Sequence, residues 1–151
     1  MSAKYQVLAT GYYDGPTEGF LVDPGSEKAQ FFKVIAWDAD QEERLFVVVE
    51  VDRAQLARLE ALIDRAGEKP RKLIWAPPWR FRDDNDLGEA RQIIAQCEEQ
   101  LKSACELSIG IELSTSSRRI HVKENLRNEL ANAIDRDEPE DIGAWRAKLR
   151  A

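Results

Sequence analysis

The sequence predicts an α+β fold: an antiparallel N-terminal β-meander with a packed amphipathic helix, then a strand, a long helix, a hairpin and C-terminal helices. Three observations predict it. Phe31–Trp37 and Arg44–Val51 are rich in aromatic and β-branched residues, and the polar segment between them has the length of a hairpin loop. The second run leads directly into Leu56, Leu59, Leu62, Ile63 and Ala66, an apolar stripe at helical spacing. Two further strand-like runs precede the hairpin, joined by connections too short for parallel crossovers.

Tyr5–Tyr13 reads as the first strand, with Val7 and Ala9 on one face and Leu8 on the other. Asp14-Gly15-Pro16 is turn punctuation, and Gly19–Val22 is a short second strand ended by Asp23–Ser26. Gly11, Gly15 and Gly19 are expected at strand ends and turns. In the strand 44–51, Leu45, Val47, Val49 and Val51 form an apolar face, while Arg44, Phe46, Val48 and Glu50 form a mixed one. Asp52 with Gln55 is a capping-box pattern that opens the helix, and Gly67 and Pro70 close it. That helix is expected on the Leu45/Val47/Val49/Val51 face, because each apolar surface needs a partner.

Arg71–Trp75 is a candidate fifth strand, followed by the stiff segment Ala76-Pro77-Pro78-Trp79. Asp86–Glu106 carries Ala90, Ile93, Ile94, Cys97, Leu101, Ala104 and Cys105 on one face, with Asp86 and Glu89 as a second capping box. Leu107–Leu113 alternates as a strand with one buried face; Ser114–Ser117 is a turn and Arg118–Val122 the returning partner. A helix is expected over Glu124–Asp135. Asp137–Asp141 breaks it and can start a last helix, with Pro139 near its first position and Ile142, Trp145 and Leu149 as its stripe; the wider acidic block Asp135–Asp141 is expected to be a solvated helix junction.

A chain of 151 residues is expected to form a single globular domain, spanning 1–151, with a substantial core. No apolar run approaches the ~20 residues that cross a bilayer, and no signal-type apolar region follows Met1, so neither membrane insertion nor secretion by that route is expected. The net charge of −6 disfavours nucleic acid and anionic membranes as partners, while leaving room for a local basic patch. Cys97 and Cys105, if on one helix, stand ~12 Å apart along its axis, too far for a mutual disulfide. The expected compartment is the reducing cytoplasm.

Few residues offer chemistry. His121 is the sole histidine and is expected to be structural or exposed rather than catalytic. Two cysteines and one histidine lack the paired spacing of a zinc site, and buried packing is the default for both thiols. Asp83–Glu89 resembles a calcium loop until the positions are counted: Leu87 and Ile94 fall where oxygen ligands are needed. No catalytic residue, metal or cofactor is expected.

The stretch singled out for recognition is Arg71–Asp86, and the residues chosen within it are Trp75, Trp79, Arg80, Arg82 and Asp83. Tryptophan and arginine are the side chains most enriched at binding hot spots, and an arginine beside an aromatic ring can stack or fork onto an anion. The bland reading packs the tryptophans under the prolines and leaves the arginines solvated. The expected function is a non-catalytic, cytoplasmic protein-binding domain of inhibitor, immunity or adaptor type, with a protein partner. The alternative is an enzyme or small-anion-binding protein with a pocket near Trp75 to Asp86, using Arg80 or Arg82 on the anion and a nearby carboxylate as base.

Overall fold

The structure is a computed structural model that describes residues 6–13, 15–23, 25, 27–38, 40, 43–66, 74–75, 80–103, 106–110, 118–136 and 138–150, the backbone alone at 74 and 75. Its strands are β1 (Gln6–Tyr12), β2 (Pro16–Val22), β3 (Lys28–Trp37), β4 (Arg44–Asp52), β5 (Ile74–Trp75), β6 (Glu106–Gly110), β7 (Arg118–His121) and β8 (Glu140–Asp141). Its helices are α1 (Arg53–Arg65), α2 (Asp84–Leu101), α3 (Arg127–Asp135, entered through a 3₁₀ turn at Glu124–Leu126) and α4 (Ile142–Arg150). The α+β class and the antiparallel meander are thus present, with β1, β2, β3 and β4 hydrogen-bonded in sequence order. Contacts divide the chain into two units, Met1–Phe31 with Glu50–Glu99 and Phe32–Val49 with Gln100–Ala151. β3 and β4 run through both.

In the first unit β1 pairs antiparallel with β2, from Gln6 opposite Val22 to Tyr12 opposite Pro16. Pro16 takes the first position of its strand, where its missing N–H costs least. The register shifts between Ala9 and Gly11, so Thr10 is the extra residue of a bulge, and its hydroxyl donates to Glu18 Oε1 at 2.6 Å. Gly19 faces this bulge in mid-strand rather than in a turn. Its φ is +154°, and a Cβ there would lie 2.2 Å from the Leu8 carbonyl oxygen. The bulge therefore depends on a residue without a side chain. β5 pairs parallel with Val7 and Leu8 on the other side of β1.

α1 follows β4 without a loop, but not through the expected capping box. Asp52 occupies the cap position with extended backbone, yet its side chain makes no cap bond. Its carboxylate accepts from Lys28 Nζ at 2.8 Å instead, and the Arg53 N–H is satisfied by the Glu27 carbonyl at 3.1 Å. Gln55 reaches α2, where its amide lies 3.4 Å from Cys97 Sγ. Neighbouring backbone and a lysine supply better partners than the local reciprocal bonds. The Gly67 and Pro70 stop lies outside the described residues.

Arg58 holds Glu89 with two hydrogen bonds, one of 2.8 Å, and Arg65 Nη1 lies 3.6 Å from Asp86 Oδ1. Partner numbers fall along α2 as they rise along α1, so the helices pack antiparallel. Leu56, Leu59, Leu62 and Ile63 are buried, as their spacing predicts. Phe20 and Phe31 stack tilted at 4.9 Å in the same unit.

In the second unit β4 pairs antiparallel with β6, and β6 with β7. Leu45, Phe46, Val47 and Val48 are all buried, as are Leu107, Ser108 and Ile109. Strand side chains alternate in direction, so both strands are covered on both faces here: the mixed face of β4 is buried at Arg44, Phe46 and Val48, and β6 is not buried on the single face that its alternation suggested. Phe46 meets Phe32 edge-on at 5.7 Å. Arg44, only 4% exposed, lies over the Trp37 ring at 5.4 Å.

Several element ends differ from the sequence reading: β2 and β3 each begin three residues earlier than expected, and three further differences have a local cause. α2 starts two residues early, because the Asp83 carboxylate accepts the Asn85 N–H at 2.7 Å and becomes the cap in place of Asp86. It ends at Leu101 rather than Glu106, since Glu106 is already paired with Val48 and His121. The acidic block is largely exposed between α3 and α4, with Asp135, Arg136, Glu138 and Asp141 at the surface, but it starts no proline-initiated helix: Glu140 and Asp141 pair parallel with Ala36 and Trp37 as β8. α4 begins after them, with the Asp141 carboxylate on the Gly143 N–H at 3.1 Å. The Cys105 end of the long helix and the turn 114–117 lie outside the described residues.

Candidate functional site: an arginine-lined groove

Among the described residues, β7 lies at the end of the strand order, next to β6 alone. Its register places Arg118 opposite Ile109, Arg119 opposite Ser108 and Ile120 opposite Leu107. Arg118 and Ile120 share one face of the strand; Arg119 and His121 share the other. α4 is amphipathic: Ile142 and Trp145 are buried, and the four-residue spacing of Arg146 and Arg150 puts both on one side of the helix.

These two elements border an open groove of about 730 Å³. Four arginines line it, Arg118 and Arg119 from β7 and Arg146 and Arg150 from α4. Ile109, Ile120 and Leu149 supply its apolar surface, and Glu43 is the one carboxylate. Four arginines stand against two carboxylates, Glu43 in the groove and Glu106, which Arg119 reaches, in a chain whose net charge is −6.

The arginines are not equivalent. Arg146 is hydrogen-bonded to Glu43, which raises its pKa further and ties α4 to the β3–β4 hairpin. That hairpin is closed by the Asp38 N–H on the Glu43 carbonyl at 3.2 Å. Arg119 reaches Glu106 at 3.9 Å, across the diagonal of its strand pair. Arg118 and Arg150 are exposed and form no ion pair among the described residues. A guanidinium fork with unused donors binds carboxylate or phosphate bidentately. The groove is thus equipped to hold anionic groups.

The residues chosen from sequence lie elsewhere. Arg80 and Arg82 are exposed in the segment leading into α2, and Asp83 is the cap of that helix. The backbone of Trp75 pairs with Leu8; Trp79 lies outside the described residues. The groove arginines were missed because they come from two segments about 30 residues apart in a chain of acidic balance. The available signal was the Arg118-Arg119 pair together with a like-charged pair at helical spacing in the last helix. Such a helix pair is mildly unfavourable by itself.

Other chemistry-bearing residues are quiet. Burial pushes the Cys97 thiol up to about 12, with Glu18 and Glu98 adding to the shift, so the nucleophilic thiolate is suppressed near neutral pH. His121 is exposed. Among the described residues no group of three or more His, Cys, Asp or Glu is placed to hold a metal ion, and no helix is long and apolar enough to cross a membrane. Comparison with family models, curated proteins and solved structures gives no match to this chain.

Proposed function

We propose that this is a non-catalytic protein-binding domain whose groove between β7 and α4 receives an acidic partner protein. The gathering of Arg118, Arg146 and Arg150 at one groove, with Arg119 next to Arg118 on the opposite face of β7, carries the reading in an otherwise acidic chain. Apolar side chains between the arginines supply the desolvated centre that interface arginines need in order to contribute affinity. The net charge repels nucleic acid at long range, so a short acidic segment that meets the groove locally suits the molecule better than a polyphosphate chain. Cys97 carries no disulfide, which suits a reducing cytoplasm. Arg80 and Arg82, exposed beside the Asp83 cap in the other unit, are a separate candidate surface, independent of the groove.

Charge reversal tests the reading. Arg118→Glu with Arg150→Glu should leave the melting temperature within a few degrees of the parent, since neither residue has an ion-pair partner to lose among the described residues. The same variant should lose binding to polyglutamate by roughly 30-fold or more, the loss of two hot-spot arginines. Unchanged polyglutamate binding at unchanged stability would overturn the groove as the site.

A further inference from the structure

We infer that the partner binds as an extended acidic segment that adds as a strand to the outer edge of β7. This rests on the protein-binding reading above and specifies its geometry. β7 ends the strand order, and among the described residues no strand lies beyond it. Its inner edge is occupied by β6 from Glu106 to Ile109. An edge strand directs alternate N–H and C=O groups outward, and a peptide strand can pair with them while its side chains settle selectivity.

The charges match such an arrival on both faces. Arg118 and Arg119 lie on opposite faces of β7, so a strand beside it meets a guanidinium on each face, that of Arg119 shared with Glu106. On the groove side Arg146 and Arg150 of α4 add two more. Oppositely charged side chains directly across a strand pair are mutually stabilising. Consecutive acidic residues, which point alternately up and down, are therefore both matched.

The competing account is that arginines on β7 only protect an open edge from self-association, a common use of edge charge. That account requires charge on the strand. Arg146 is held by Glu43 whatever arrives at the edge, so the two accounts separate on Arg118 and Arg150, which form no ion pair among the described residues and stand on either side of the groove.

The test uses the whole chain and a capped hexaglutamate peptide, followed by amide NMR shifts and hydrogen exchange at Arg118–His121. Three forms of the peptide are compared: unmodified, N-methylated at alternate residues, and N-methylated throughout. Alternate methylation leaves one hydrogen-bonding edge intact, and full methylation leaves none. Strand addition predicts that the first two bind within about threefold of each other, that the third is weaker by about tenfold or more, and that exchange slows along β7. If all three bind alike, and Arg146→Gln with Arg150→Gln abolishes binding, the groove reading stands and strand addition is overturned. No binding of any form at about 1 mM overturns both. Tighter binding of single-stranded oligothymidylate than of the peptide also overturns the inference, as does protection of β7 that appears without peptide and grows with protein concentration, which would assign the edge to a second copy.

Discussion

Glu60 and Trp145 each bury a polar atom with no hydrogen-bond partner among the described residues, Glu60 Oε1 and Trp145 Nε1. For Glu60, desolvation raises the carboxyl pKa, Arg53 opposes it from 3.6 Å, and Asp64 adds to it. An acid with a raised folded pKa binds more protons folded than unfolded between its two pKa values. Its contribution is most favourable below the unfolded value, about 4.3, and is lost as pH rises through the folded one. Glu60→Gln should therefore raise the melting temperature at pH 7, and the gain should vanish below about pH 4. Glu89 has the opposite sign: its hydrogen bond from Arg58 lowers its pKa, so its contribution is present at neutral pH and lost on acidification. Trp145 is 1% exposed, with Lys148 Nζ 4.6 Å from its ring centroid. Trp145→Ala should cost about 3–5 kcal/mol in denaturant unfolding. Trp145→Phe should cost under about 1.5 kcal/mol, because the smaller ring also removes an unpaired buried N–H.

At the scale of elements, local signals located most segments while tertiary partners set their ends. The run 53–66 is a helix on its leucine spacing alone, yet its start is held by Lys28 and the Glu27 carbonyl rather than by Asp52 and Gln55 acting on each other. α2 stops at Leu101 because β4 and β7 claim Glu106, a competition absent from any local window. Gly19 belongs to this scale too, since its conformation exists only against β1. Gly19→Ala should destabilise the protein by about 2 kcal/mol or more, read from the shift in the urea midpoint, because the added methyl meets backbone that cannot step aside. Cys97 is 0% exposed where α2 faces α1. A thiol reagent should leave it unlabelled in the native protein and label it once denatured; rapid native labelling would show that this face of α2 opens.

At the scale of the whole molecule, a negative chain carries a positive groove, and that contrast sets the expected salt response. Affinity for an acidic peptide should fall steadily between about 0.05 M and 0.5 M salt, as screening shortens the reach of the exposed Arg118 and Arg150. Titration calorimetry would show it, and a salt-independent affinity would place binding on the apolar surface instead. The sequence by itself determined the α+β class, the early meander, the apolar stripes of α1 and α4 and the burial of Cys97. Each follows from periodicity or composition within a dozen residues. Only the tertiary structure decided that β6 is buried on both faces, since a strand's own alternation does not say what packs over its polar side. It alone turned an acidic block into β8, by offering Ala36 and Trp37 as backbone partners. It also decided the candidate site: Trp75, Trp79, Arg80, Arg82 and Asp83 stood out as neighbours along the chain. Arg118, Arg119, Arg146 and Arg150 become neighbours only when α4 is brought beside β7, because guanidinium groups act on a ligand through spatial convergence, which sequence distance does not encode.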